Sequence, residues 1–168
     1  DNRPVCLIAQ FLLATGCRLT EALTAEWSLI DRQNRIWRVS ASNSKSGKSR
    51  TVPLTDAALN VLDQIGTEGS FDEVFVNLRT GKRYTHIRHT WHRLRKKAGL
   101  PWLRLHDLRH AFASMLVNSG QTLYAVQQCL GHADSRVTQR YAHLNSQTLQ
   151  DAANSASEKI LLAMQGVK

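Results

Sequence analysis

The sequence predicts an α+β fold, mainly α-helical, with a small antiparallel sheet or hairpin near its N-terminal third. Apolar residues recur at helical spacing over most of the chain, whereas between Trp27 and Leu54 that period vanishes and β-branched and aromatic residues cluster around turn formers. With 168 residues, the chain has a length suited to one domain with a substantial core. Hydrophobic residues make up 42% and charged residues 21%, which excludes a disordered chain.

Residues 4–14 are apolar on nearly every side and read as a core helix. Thr15-Gly16-Cys17-Arg18 breaks it, with Gly16 suited to the C-terminal cap and Thr20 to capping a new helix from Glu21. Arg18 then lies in a short connection. Ile36, Trp37 and Val39 read as one strand, Thr51-Val52-Pro53 as another, and Asp31 to Asn34 as a turn between strands. Ser42 to Arg50 is a polar, basic hairpin loop carrying Lys45 and Lys48. Thr55 can cap a helix whose inner face is Ala58, Leu59, Leu62 and Ile65. Phe71 to Asn77 can be extended, followed by a turn over Arg79 to Lys82.

From Thr85 a helix turns Ile87, Trp91, Leu94 and Ala98 inward and displays a dense basic surface that includes Arg88, Arg93, Lys96 and Lys97. A solvated face is the ordinary explanation, but such a surface also tracks a DNA backbone. His86, His89 and His92, three apart, lack the carboxylate or thiolate a metal site needs. After Pro101 comes a helix whose buried stripe is Leu105, Leu108, Phe112, Met115 and Leu116, ending by Gly120. His106 and Arg109, with Ala113, border that stripe, so an imidazole and a permanent cation share one edge. A helix from Thr122 buries Leu123, Val126 and Leu130 and stops at Gly131, and His132 emerges at the turn. Asp134 or Ser135 can cap a short helix delivering Val137 and Tyr141. After Asn145 a last amphipathic helix carries Leu149, Ala153, Ala156, Ile160 and Ala163.

The charge is the informative bulk property. Lys and Arg number 22 against 13 Asp and Glu, a net charge of +9, which favours an anionic partner such as nucleic acid. Cys6, Cys17 and Cys129 lack paired spacing and suggest reduced thiols, not a disulfide framework. Val5 to Ala14 is too short to span a bilayer and has no basic lead-in of a secretory signal.

His106-Asp107-Leu108-Arg109-His110, Leu130-Gly131-His132, Thr138-Gln139-Arg140-Tyr141-Ala142-His143 and Thr15-Gly16-Cys17-Arg18-Leu19-Thr20-Glu21-Ala22-Leu23, together with Ser44-Lys45-Ser46-Gly47-Lys48 before Thr51-Val52-Pro53-Leu54, resemble the catalytic domain of a tyrosine recombinase of the phage integrase family. The resemblance covers almost the whole chain and implies a single catalytic domain over 1–168, without the N-terminal DNA-binding domain that family members usually carry. It also implies roles. Tyr141 would attack phosphorus to give a 3′-phosphotyrosine and a free 5′-hydroxyl. Arg18 and Arg109 would hold the non-bridging oxygens. Lys45, with Lys48 as the competing lysine, would protonate the departing oxygen. His106 would accept the phenol proton, His132 would donate a hydrogen bond to the phosphate, and Glu21 and His110 would support these groups from behind.

A phenol with pKa near 10 is only about 0.1% ionised at pH 7, so nearby cations are expected to ease its ionisation. No metal and no nucleotide cofactor is expected, because arginines and a lysine supply the charge. The expected partners are double-stranded DNA, contacted by Lys48, Arg50, Arg88, Arg93, Lys96 and Lys97, and further copies of the chain assembled on DNA through the apolar tail from Lys159 to Met164. The expected location is the cytoplasm, at the nucleoid of a bacterium or under phage direction. Three other readings share some features. A zinc protease would use His106 and His110, but Asp107 and Arg109 fit it badly. A non-catalytic DNA-binding module leaves the six polar residues without purpose. A type IB topoisomerase shares the chemistry.

Overall fold

The computed structural model describes residues 2–43, 47, 49–132, 134–142, 153–154 and 157. Helix α1 spans Arg3–Thr15, starts with Pro4 in its first turn and ends at Gly16, whose φ of 62° lets its N–H close on Leu12 O. A short α2, Leu19–Leu23, follows directly. Its cap is not Thr20: Arg18 is the flanking residue and Glu21, in the third helical position, reaches back to the Arg18 N–H at 2.8 Å. The carboxylate satisfies an orphan donor at the start of the helix, which a hydroxyl two residues inside it does not do.

Strands β1 (Ile30–Asp31), β2 (Ile36–Val39) and β3 (Arg50–Pro53) form the antiparallel sheet, in that order. Trp37 pairs with Val52, and both are buried, while the neighbouring pair Arg38 and Thr51 faces outward. That is the two-residue period the pattern demanded. Helix α3, Asp56–Ile65, has Thr55 Oγ1 accepting from the Ala58 N–H, as predicted. Of the extended stretch expected at 71–77, only β4, Val76–Asn77, is strand, pairing with β5, Lys82–Arg83, across a turn over residues 78–81.

Helix α4, Arg88–Lys97, starts three residues later than predicted, and Ala98 is exposed at its end, not packed inward. Ile87 is buried before the helix begins and Trp91 and Leu94 lean on the core. Helix α5 spans Leu105–Asn118, α6 Leu123–Leu130 and α7 Ser135–Gln139. Thr122 and Asp134 cap α6 and α7. On α5 the expected stripe is displaced. Met115 is 60% exposed, and the buried positions are Leu108, Arg109, Ala113 and Val117. At about 100° per residue Met115 lies about 120° round the helix from Arg109, so it cannot share that face.

Two cores result. The larger gathers α1, α3 and the sheet, with Phe11 tilted on Trp37 and edge-on to Phe75 at 5.5 and 5.3 Å. The smaller holds Ala113, Val117, Val126, Leu130 and Tyr141. Helix α5 enters the first through Leu108 and the second through Ala113, so its middle turn lies at the seam between them. Of the C-terminal helix, only Ala153, Asn154 and Ser157 are described; they are helical and exposed, and the tail from Lys159 to Met164 lies outside the described residues. No helix among the described residues is long and apolar enough to cross a membrane.

Candidate active site at the seam of two cores

The site is built on the end of α6. A helix leaves its last carbonyls without intrahelical partners and carries partial negative charge there. Three guanidiniums take up consecutive ones. Arg50 Nη1 donates to Cys129 O at 3.0 Å, Arg109 Nη2 to Leu130 O at 2.7 Å, and Arg18 Nη2 to Gly131 O at 3.5 Å. Arg109 also donates to Gly16 O, at the end of α1, at 2.5 Å. Two helix ends therefore hold Arg109, which is only 4% exposed. Burial, followed by repulsion from Arg18 and Arg50, pushes its pKa down to about 10, so it remains a cation at neutral pH.

Glu21 completes the cluster. Its side chain is fully buried, with Oε1 accepting from Arg18 Nη1 at 2.8 Å and Oε2 from Arg50 Nη2 at 2.7 Å. Burial alone would raise this carboxyl, but the bonds from Arg50 and Arg18 outweigh it and hold it below the usual range. Arg18 and Arg109 line a cleft of about 730 Å³ together with His106, Cys17, Trp91 and Arg95. Arg18 thus faces the same cavity as His106 and Arg109, which are far from it in sequence. Burial, then His110 and Arg109, lowers the His106 pKa, leaving its ring neutral at pH 7.

Tyr141 lies at the other edge of α5. Its ring is buried in the smaller core and its Oη meets His110 Nδ1 at 2.5 Å. The His110 ring in turn stands edge-on to His106 at 4.6 Å between centroids. The imidazole on the phenol is therefore His110, one turn beyond the residue expected to take the proton. Burial raises the Tyr141 pKa, and the opposing pull of Arg140 and Arg109 does not overcome it. The cations thus ease ionisation in the expected direction, but in this arrangement burial outweighs them. His132 Nδ1 is 2.9 Å from Thr138 Oγ1, and burial with Arg109 and Arg18 drives its pKa to about 4.

Arg50 departs from its expected place on the DNA-facing surface: its side chain is 11% exposed and is spent on Glu21 and Cys129. An arginine flanking a polar loop reads as solvated; only the pairing of β3 with β2, which turns alternate residues to the core side, takes it inside. Gly131 makes room for it, since a Cβ there would lie 2.4 Å from Arg50 Cδ. Arg88, Arg93, Lys96 and Lys97 are exposed on α4, as expected. Lys45 and Lys48 lie outside the described residues. What sequence could have offered for the missed contacts is the pair of helix-ending glycines, Gly16 and Gly131, which mark carbonyls in need of donors.

Comparison with known proteins places the chain in a family. The model of the phage integrase family matches residues 3–148. The integrase of Salmonella phage P22 is 32% identical over 154 residues, covering 85% of this chain and 40% of that protein. Tyrosine recombinase XerA of Saccharolobus solfataricus is 34% identical over 157 residues, 91% of this chain and 52% of that one. The chain thus spans about half the length of these relatives. Among solved structures, XerH site-specific recombinase bound to difH substrate superposes with a TM-score of 0.70 at 27% identity, over 90% of this chain and 46% of that one. The catalytic domain of bacteriophage HP1 integrase superposes with 0.64 at 27% identity, over 88% of this chain and 79% of that one. On the match over residues 3–148 and on these relatives, the chain belongs to the phage integrase family.

Proposed function

We propose that the protein carries out site-specific DNA recombination by cleaving and rejoining strands through a 3′-phosphotyrosine. The reading rests most on the convergence of Arg18, Arg109 and His106 on one cleft, with Tyr141 hydrogen-bonded to the same helix one turn on. Tyr141 Oη bonds to phosphorus, its proton passes to the imidazole it already touches, His110, and the P–O5′ bond breaks. Lys45 supplies the proton to the leaving 5′-oxygen. Arg18 and Arg109 hold the charge that builds on the non-bridging oxygens, His132 donates to one of them, and His106, on the same cleft, donates a hydrogen bond to the reacting phosphate. The phosphotyrosine keeps the energy of the broken bond, so a foreign 5′-hydroxyl reverses the step on a new partner. DNA is the substrate, copies of the chain pair on it, and the reaction takes place at the nucleoid. The family relatives named as recombinases, and the structure of XerH bound to difH substrate, support the reading of DNA as the substrate.

The test is incubation with a nicked duplex that loses its downstream fragment on cleavage, followed by denaturing electrophoresis. A covalent band that survives chelation and disappears in Tyr141→Phe is expected. No band from the wild type on its own site would sink the proposal. With a second duplex bearing a free 5′-hydroxyl, the same gel reads strand joining, and a steeper than linear dependence on protein concentration reads pairing. A type IB topoisomerase would relax supercoils with linear dependence.

A further inference from the structure

The buried half of the cluster is not explained by stability. Three guanidiniums surround a single carboxylate, and replacing such buried charge with apolar side chains is commonly neutral or stabilising. Arg50 in particular leaves its Nε buried without a partner among the described residues. The cluster therefore carries more positive charge than its own carboxylate can match. Its geometry shows what Arg50 does to Arg18. Glu21 has two oxygens, and Arg50 occupies Oε2 at 2.7 Å, leaving Arg18 Nη1 only Oε1 at 2.8 Å. Oε2 also accepts the Arg18 backbone N–H at 2.8 Å, so Arg50 fills its remaining acceptor position; without Arg50 that position would be open to a two-point fork from the Arg18 guanidinium, which would redirect it. Arg50 also pins the start of β3 to the end of α6 through Cys129 O, fixing the same carbonyl row that holds Arg18 and Arg109.

We infer that Arg50 is a positioning residue for the oxyanion site: by taking one oxygen of Glu21 and one carbonyl of α6, it limits the Arg18 guanidinium to a single bond with Glu21 and keeps it turned toward the scissile phosphate. This rests on the recombinase reading for its substrate, although the anion site itself does not.

The experiment compares adduct formation on the nicked duplex with that on a duplex whose scissile phosphate is a methylphosphonate, which has one negative charge fewer. If Arg50 acts by keeping Arg18 available, Arg50→Gln loses about 100-fold on the phosphodiester but stays within about 5-fold of wild type on the methylphosphonate. Arg50→Lys, which restores charge without the fork, recovers part of the loss. A fold defect would depress both substrates alike. Should Arg50→Gln fail to fold by circular dichroism, Arg50→Lys is expected to fold and to show a smaller loss of the same kind, on the phosphodiester and not on the methylphosphonate. An equal loss on both substrates, or no loss on either, with an active wild type, overturns the inference. If the wild type forms no adduct on either duplex, the recombinase reading fails instead, and inorganic phosphate decides this one. The wild type should gain more in thermal midpoint from phosphate than R50Q, with R50K between them, and equal gains or none overturn it.

Discussion

Replacing Gly16 by alanine tests the seam where α1 meets the site. Gly16 ends α1 at φ 62°, and a Cβ there would lie 2.2 Å from Phe112 Cδ1 on α5. The left-handed backbone costs an L-residue about 1–2 kcal/mol, and forcing the ring aside adds about 1–3 kcal/mol. Gly66 supplies the control, because it ends α3 at φ 70° with nothing within 4 Å of its missing Cβ. Gly66→Ala carries the backbone cost alone, and any gain from stiffening the unfolded chain is common to both variants and cancels. Urea unfolding should place Gly16→Ala below Gly66→Ala by about 1–3 kcal/mol, and thermal midpoints should separate by roughly 2–12 °C for a chain of this size. The variant Phe112→Ala removes the collision, so Gly16→Ala should cost less in that background. Because Gly16 O accepts from Arg109, adduct formation should fall in Gly16→Ala and not in Gly66→Ala. Equal losses for the two alanines, or strict additivity with Phe112→Ala, would refute the steric account.

Two further outcomes follow from the charges. The His132 pKa is lowered to about 4 in the fold, so the unfolded chain binds the proton first as pH falls through the ordinary histidine value of 6.5. The stability His132 contributes is thus complete above that value and is lost between there and about 4; His106 and His110, also lowered, act in the same direction. Urea midpoints from pH 8 to 4.5 should decline on acidification, His132→Gln should flatten part of the decline, and an unchanged slope in that variant would remove the assignment. On α4, Arg93→Ala and Lys97→Ala should weaken DNA binding alike for all sequences. Each should reduce the slope of log K against log salt by about 1 for every phosphate that is no longer neutralised, and a full slope in the double variant would exclude this face from the DNA.

The elements that rest on local signals were legible in advance: the capping threonines Thr55 and Thr122, the alternation through Trp37 and Val52, and the glycines that end α1 and α6. Spacing also put His106 and Arg109 on one edge of α5. What it could not supply was the turn of that helix toward two cores at once, which buries Arg109 and exposes Met115. Nor could it pair Tyr141 with His110, since their meeting is set by how the turn after α7 brings Tyr141 onto α5, and 31 residues separate them. Arg50 failed for the same reason. Its neighbours in sequence are polar, and its neighbours in space are a glutamate and a helix end contributed by other parts of the chain.

The groups that receive the three arginines on α6 are peptide oxygens and carry no side-chain identity. Substitutions at Cys129 and Leu130 that preserve packing therefore leave the acceptors where they are. Inserting or deleting one residue in α6 is another matter, because it rotates everything beyond by about 100° and shifts it by about 1.5 Å. All three donors would lose their acceptors together. The site thus makes a strict demand on the length of this segment and a loose one on its spelling.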